Sequence, residues 1–119
     1  MKDITEVLKQ EPVYLNDWST RGEVESDFEV DLGGEINILF ASYGTGNYSG
    51  DAFVLFERDG KLFEVNGSHC SCYGLEGQFD EEETTIEALQ HRLIEGRMGQ
   101  DDYSGNDFSE ELKQFLGIA

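Results

Sequence analysis

The chain's two cysteines and two histidines are its best candidates for metal binding or nucleophilic chemistry. His69, Cys70 and Cys72 fall within one short run, His69-Cys70-Ser71-Cys72, and His91 lies farther along. Imidazole and thiolate are the donors zinc selects, and four of them complete a tetrahedral site. The usual pattern, however, is a C-x2–4-C pair matched by a second pair, and here the fourth ligand has to come from the distant His91. The expectation is a packed, reduced loop with no metal and no cofactor. A zinc site at His69, Cys70, Cys72 and His91 is the alternative. A thiol beside an imidazole also has the makings of a nucleophile, but a strongly negative chain raises the thiol pKa and works against the thiolate. No catalytic residue is assigned, and the protein is read as a non-enzyme.

Carboxylates are the other abundant chemistry. There are 26 Asp and Glu against 8 Lys and Arg, a formal net charge of −18. With so many, pairs suited to acid–base work arise by number alone and say nothing about catalysis. The segment 101–111 lacks the D-x-[DN]-x-[DN]-G order of a calcium loop, because Asp107 stands where the glycine belongs. The charge balance argues against direct nucleic-acid binding, which depends on Lys and Arg neutralising phosphate, and points to a basic partner.

The most ordered acidic stretch is 22–32, GEVESDFEVDL. Read as a β-strand, it places Glu23, Glu25, Asp27, Glu29 and Asp31 on one face and Val24, Ser26, Phe28, Val30 and Leu32 on the other. Like charges about 6.6 Å apart repel by roughly 0.6 kcal/mol even in water. A solubilising face normally mixes signs, so this ladder reads as a contact surface, and Asp80, Glu81, Glu82 and Glu83 form a second acidic patch.

The remaining elements must position these groups. Ile4, Val7 and Leu8 give a helical stripe over 2–10, which Pro12 ends. Residues 13–21 read as a connection anchored by Tyr14 and Trp18. After the acidic strand (23–32), a second strand (35–42) returns through a bulged Gly33-Gly34-Glu35 turn, the register that keeps Ile36, Ile38 and Phe40 off the carboxylate face. Asp59-Gly60 is a type I′ hairpin signal joining strands 51–58 and 61–66. It pairs Phe56 with Phe63 and Val54 with Val65, leaving Phe53, Leu55 and Leu62 on the reverse face for a helix to cover. Residues 67–79 read as a loop. Thr84-Thr85-Ile86-Glu87 reads as a capping box opening a helix over 84–96, and Asp107 or Ser109 caps a last helix, 109–116, stopped by Gly117. The expected fold is one α+β domain, 1–119, with a four-stranded antiparallel sheet packed by two to three helices. Its aromatic content of 12% is enough for a packed interior despite the charge. There is no apolar run long enough to span a membrane and no basic-then-apolar leader, so a cytoplasmic protein is expected.

Residues 48–93, from Tyr48-Ser49-Gly50-Asp51 through the His69-Cys70-Ser71-Cys72 run to His91-Arg92-Leu93, resemble the centre of small acidic proteins encoded by tailed phages and related mobile elements. This resemblance implies a phage context and names no activity. In size and charge the chain is also similar to phage DNA-mimic inhibitors of the anti-CRISPR and anti-restriction kinds. That similarity implies a partner with a basic nucleic-acid site, such as a host CRISPR effector, nuclease or repair protein. The expected function is an inhibitor that occupies such a site with its acidic surface, binding neither nucleic acid nor membrane itself. An acidic adaptor binding a basic protein elsewhere is a further alternative.

Overall fold

The computed structural model describes residues 2–45, 50–69, 74–100 and 105–118. Its centre is the hairpin of β3 (Gly50–Arg58) and β4 (Lys61–His69). Asp59 and Gly60 turn it at φ 56° and 79°, the two left-handed residues a type I′ turn needs. The register pairs Phe56 with Phe63 and Val54 with Val65, as the alternation predicts. β2 (Asn37–Gly44) lies antiparallel on the other side of β3, and β5 (Glu82–Thr84) pairs antiparallel with β4. β1 (Val13–Asn16) lies outside β2 and runs parallel to it, which gives a five-stranded mixed sheet in the order β1-β2-β3-β4-β5.

Both sheet faces are buried. Phe53, Leu55 and Leu62 pack with α1 (Ile4–Leu8), α3 (Ile86–Ile94) and α4 (Ser109–Leu116). The helical cover predicted for this face is therefore present. On the reverse, Val54, Phe56 and Val65 pack with Trp18, Leu75 and α2 (Arg21–Phe28). A bulge between Ile38 and Phe40 turns the consecutive residues Leu39 and Phe40 to the α3–α4 side while Ile38 and Ala41 face α2. That is how β2 can be buried almost throughout without strict alternation.

The α+β class holds, but residues 23–32 are not a strand and the sheet is not purely antiparallel. Residues 21–28 form α2, opened by a capping box in which the Thr20 hydroxyl accepts from the Glu23 N–H and the Glu23 carboxylate accepts from the Thr20 N–H. Its buried residues, Val24 and Phe28, are four apart. A spacing of four satisfies both the period of two and the period of 3.6, so the apolar pattern alone fits either element. Glu29 ends the helix in the left-handed conformation at φ 55°. The bulged hairpin turn disappears with the strand. Gly33, Gly34 and Glu35 instead belong to an α2–β2 connection, held by the Arg21 guanidinium donating to the carbonyls of Gly33 and Ile36.

Other differences are smaller. Residues 13–16 form an edge strand too short to show a clear pattern. The first helix contracts to Ile4–Leu8 behind its N-cap Asp3. The cap of α3 is Thr85, whose hydroxyl accepts from the Ala88 N–H, one residue later than predicted. Phe108 precedes α4 with no side-chain cap, in place of Asp107 or Ser109, while Gly117 ends that helix at φ 73° as expected. Among the described residues no helix is long and apolar enough to cross a membrane.

Candidate functional site: the carboxylate surface

The helix redistributes the acidic residues of 23–31. A rise of about 1.5 Å per residue and a turn of 3.6 residues bring Glu23 over Asp27 and Glu25 over Glu29, on different sides of α2. No ladder at strand spacing exists, and a match to phosphate spacing cannot rest on one.

Three of these carboxylates also hold the local structure together. Glu23 Oε1 accepts from the backbone N–H of Ser19 at 2.8 Å and of Thr20 at 3.1 Å. The Ser19 hydroxyl and these amides keep its carboxyl below the ordinary value. Glu25 accepts from the Leu32 N–H at 2.9 Å and lies 3.7 Å from Arg21 Nε. Asp27 Oδ2 accepts from Trp18 Nε1 at 2.7 Å, which satisfies the polar end of a ring that is only 2% exposed. Asp31 accepts from the Gly33 N–H at 3.1 Å and stays exposed, as does Glu29 at the helix end.

The 80–83 run divides similarly. Both oxygens of Glu81 accept from the two terminal nitrogens of Arg58, a bidentate pair. The Arg58 guanidinium lies 4.6 Å above the centre of the Phe63 ring. Glu83 reaches Lys61 at 4.0 Å with both side chains more than half exposed, a contact worth little. Asp80 and Glu82 have no Lys or Arg in contact among the described residues, and Glu82 stands opposite Glu64 in the β4–β5 ladder. The hydrogen bonds that Arg58 donates to Glu81 raise the Arg58 pKa, and the charges of Glu81, Asp59 and Glu35 add to the effect. Hence charges from two segments remote in sequence, Glu35 in the α2–β2 connection and Glu81 before β5, both act on one guanidinium. Glu35 and Asp59 were not singled out in the sequence because each sits beside a turn glycine and reads as turn chemistry.

Behind this surface Tyr43 is 7% exposed and rests against Trp18 at 5.1 Å between ring centres. Burial, then the charges of Asp27, Asp17 and Glu76, push its phenol up to about 12. The Asp17 carboxylate accepts a hydrogen bond from the Thr45 hydroxyl nearby.

Of the proposed zinc ligands, Cys70 and Cys72 lie outside the described residues. His69 ends β4 with a buried Nδ1 that has no hydrogen-bond partner among the described residues, and His91 is exposed on α3. Among the described residues no three His, Cys, Asp or Glu side chains come together as a metal site.

No family model, curated protein or solved structure matches this chain. Its chemistry has to be read from its own surface. That surface carries exposed carboxylates in 29–35 and 80–83, and many of its carboxylates have neutral hydrogen-bond partners.

Proposed function

We propose that the protein is a non-enzymatic inhibitor that sets its carboxylate surface against the nucleic-acid-binding site of a basic host protein, such as a CRISPR effector, a nuclease or a repair protein. The observation that supports this most is that Glu29, Asp31, Glu35, Asp80, Glu81 and Glu82 are all exposed on a chain whose net charge is −18, with the charges of Glu35 and Glu81 both acting on Arg58. A channel shaped for polyanion attracts such a surface at long range, so association is fast and falls as salt rises. Exposed carboxylates at 29–35 and 80–83 replace the linear ladder read from the sequence. The phage context implied by residues 48–93 fits an inhibitor of host defence.

The test begins with a partner captured from host lysate and purified. The triple variant Glu29→Lys, Asp31→Lys and Glu82→Lys changes exposed residues only, so the fold should persist by circular dichroism. Its affinity is expected to fall at least tenfold at low salt, and duplex DNA should compete with the unaltered protein for the partner. Unchanged affinity would overturn the assignment of the surface. Binding that depends on the patch but ignores DNA would assign instead an acidic adaptor docking away from the nucleic-acid site.

A further inference from the structure

The protein has four arginines, and three of them face carboxylates: Arg21 with Glu25, Arg58 with Glu81 and Arg92 with Glu64. Arg97 has no ion pair among the described residues, although the chain holds 26 acidic side chains. It lines a cavity of about 480 Å³ on the α3–α4 side of the sheet, a volume suited to a small organic molecule. Among the described lining residues the balance of charge is the reverse of the whole chain's: Arg92 and Arg97 are there with the amides of Asn66 and Gln100, and Asp51 is the one carboxylate. Met98 and Phe108 supply an apolar wall, and Phe108 is stacked on Phe53 with ring centres 4.8 Å apart.

The segment that carries Arg97 is fastened in place. The Gly99 carbonyl accepts from the N–H groups of Phe108 at 3.0 Å and Ser109 at 3.2 Å, and the Gln100 N–H donates to the Arg97 carbonyl at 3.1 Å. Gly99 has φ +75°, and a Cβ there would come within 2.7 Å of the Ser109 nitrogen. Only glycine permits this close approach, so the backbone that presents Arg97 is built to one geometry. Glu64 occupies only Nη1 of Arg92, which neutralises that guanidinium but leaves donors on its other nitrogens.

We infer that this cavity binds a small oxyanion, phosphate or carboxylate, carried on a flat apolar body, with the anion on the guanidinium of Arg97 and the body against Met98 and Phe108. The net charge does not forbid it. At physiological salt, charges more than about 8 Å away are largely screened, and the donors in contact decide. Arg is also the side chain whose planar fork matches both oxyanions.

Phenyl phosphate and benzoate test this on the intact chain, with benzyl alcohol as the uncharged analogue, by amide chemical-shift titration. One or both anions should produce saturable shifts at Arg97, Met98 and Gly99 with a Kd below about 10 mM, and comparing them tells phosphate from carboxylate. R97Q, an exposed change, should weaken binding about tenfold or more while other resonances stay in place. R97K, which keeps the charge but not the fork, should fall between. K9Q, which removes an exposed cation elsewhere, should bind like the parent. The inference is overturned if neither anion saturates, if benzyl alcohol binds as well, or if R97Q binds as tightly as the parent.

Discussion

The two sides of the sheet handle negative charge in different ways. On the α2 side, Glu23, Asp27 and Asp31 accept from backbone N–H groups or an indole N–H, and where carboxylates there pair with arginine, Glu25 with Arg21 and Glu81 with Arg58, all four side chains stay a quarter or more exposed. A neutral donor satisfies the oxygen without cancelling the charge, so these groups keep working as anions toward the outside. On the α3–α4 side, Glu64 is 4% exposed and meets Arg92 Nη1 at 2.8 and 2.6 Å through its two oxygens. A cation is required there because the carboxylate lies inside, where an unpaired charge is far more costly. The same residue type thus yields an external field on one side and internal structure on the other, and only the second kind should be sensitive to loss of a single cation.

Arg92→Ala is the most forceful way to break the contrast. It strands the Glu64 carboxylate, and the expected loss is about 2–3 kcal/mol, toward the lower end for buried pairs because the Arg92 side chain is 43% exposed. Urea denaturation measures it. Burial alone raises the Glu64 pKa, but hydrogen bonds from Arg92 and Asn66 and the charge of Arg92 outweigh it and leave the carboxyl below its ordinary value. A carboxyl depressed in the folded state stabilises above its unfolded pKa, and that contribution disappears as pH falls through the folded value. The variant should therefore lose part of the parent's acid sensitivity below about pH 4. The double change Glu64→Leu with Arg92→Leu should recover most of the loss. If Arg92→Ala costs no more than an exposed substitution, Glu64 does not depend on the pair.

Tyr43 measures the field on the α2 side from within. Its phenol is raised to about 12 by burial and by Asp27, Asp17 and Glu76. A raised pKa contributes stability that is complete below the unfolded value near 10 and is lost as pH climbs through the folded one. Between about pH 10 and 12 the parent should lose roughly 2 kcal/mol that Tyr43→Phe does not lose. Replacing Asp27 with Asn should shift the absorbance titration of the phenol downward, because one of the negative charges is gone. A phenol that titrates near 10 would mean that neither burial nor these carboxylates act on it.

What could be read from the chain divides along the same lines. Asp59-Gly60 and the Phe56–Phe63 pair were legible because turn chemistry and register are local. The α3 and α4 stripes, at Ile86, Leu89 and Leu93 and at Leu112, Phe115 and Leu116, were legible because each includes a spacing of three, which a strand's alternation does not give. α2 was not, because Val24 and Phe28 fit both periods and the deciding residue, Thr20, precedes the stretch that alternates. β1 and β5 have four and three residues, too few to establish a period, and they exist through partners 18 or more positions away in sequence. Glu64 with Arg92, and Arg97 without an ion pair among the described residues, become distinctive only once the fold shows which carboxylates each arginine can reach.

Thr20→Ala probes how α2 is held rather than how it is charged. The Thr20 hydroxyl accepts from the Glu23 N–H at 3.2 Å, while Glu23 reaches back to the amides of Ser19 and Thr20. Losing the hydroxyl leaves a helix N–H to water and should cost about 1 kcal/mol, visible as a small drop in the denaturation midpoint. Because α2 covers its own face of the sheet, amide exchange should quicken at Val24 and Phe28 and stay unchanged at Leu89 and Leu93, which pack on the opposite face. Equal quickening on both faces would mean that the sheet opens as one cooperative unit. The two sides would then differ in electrostatics but not in local stability.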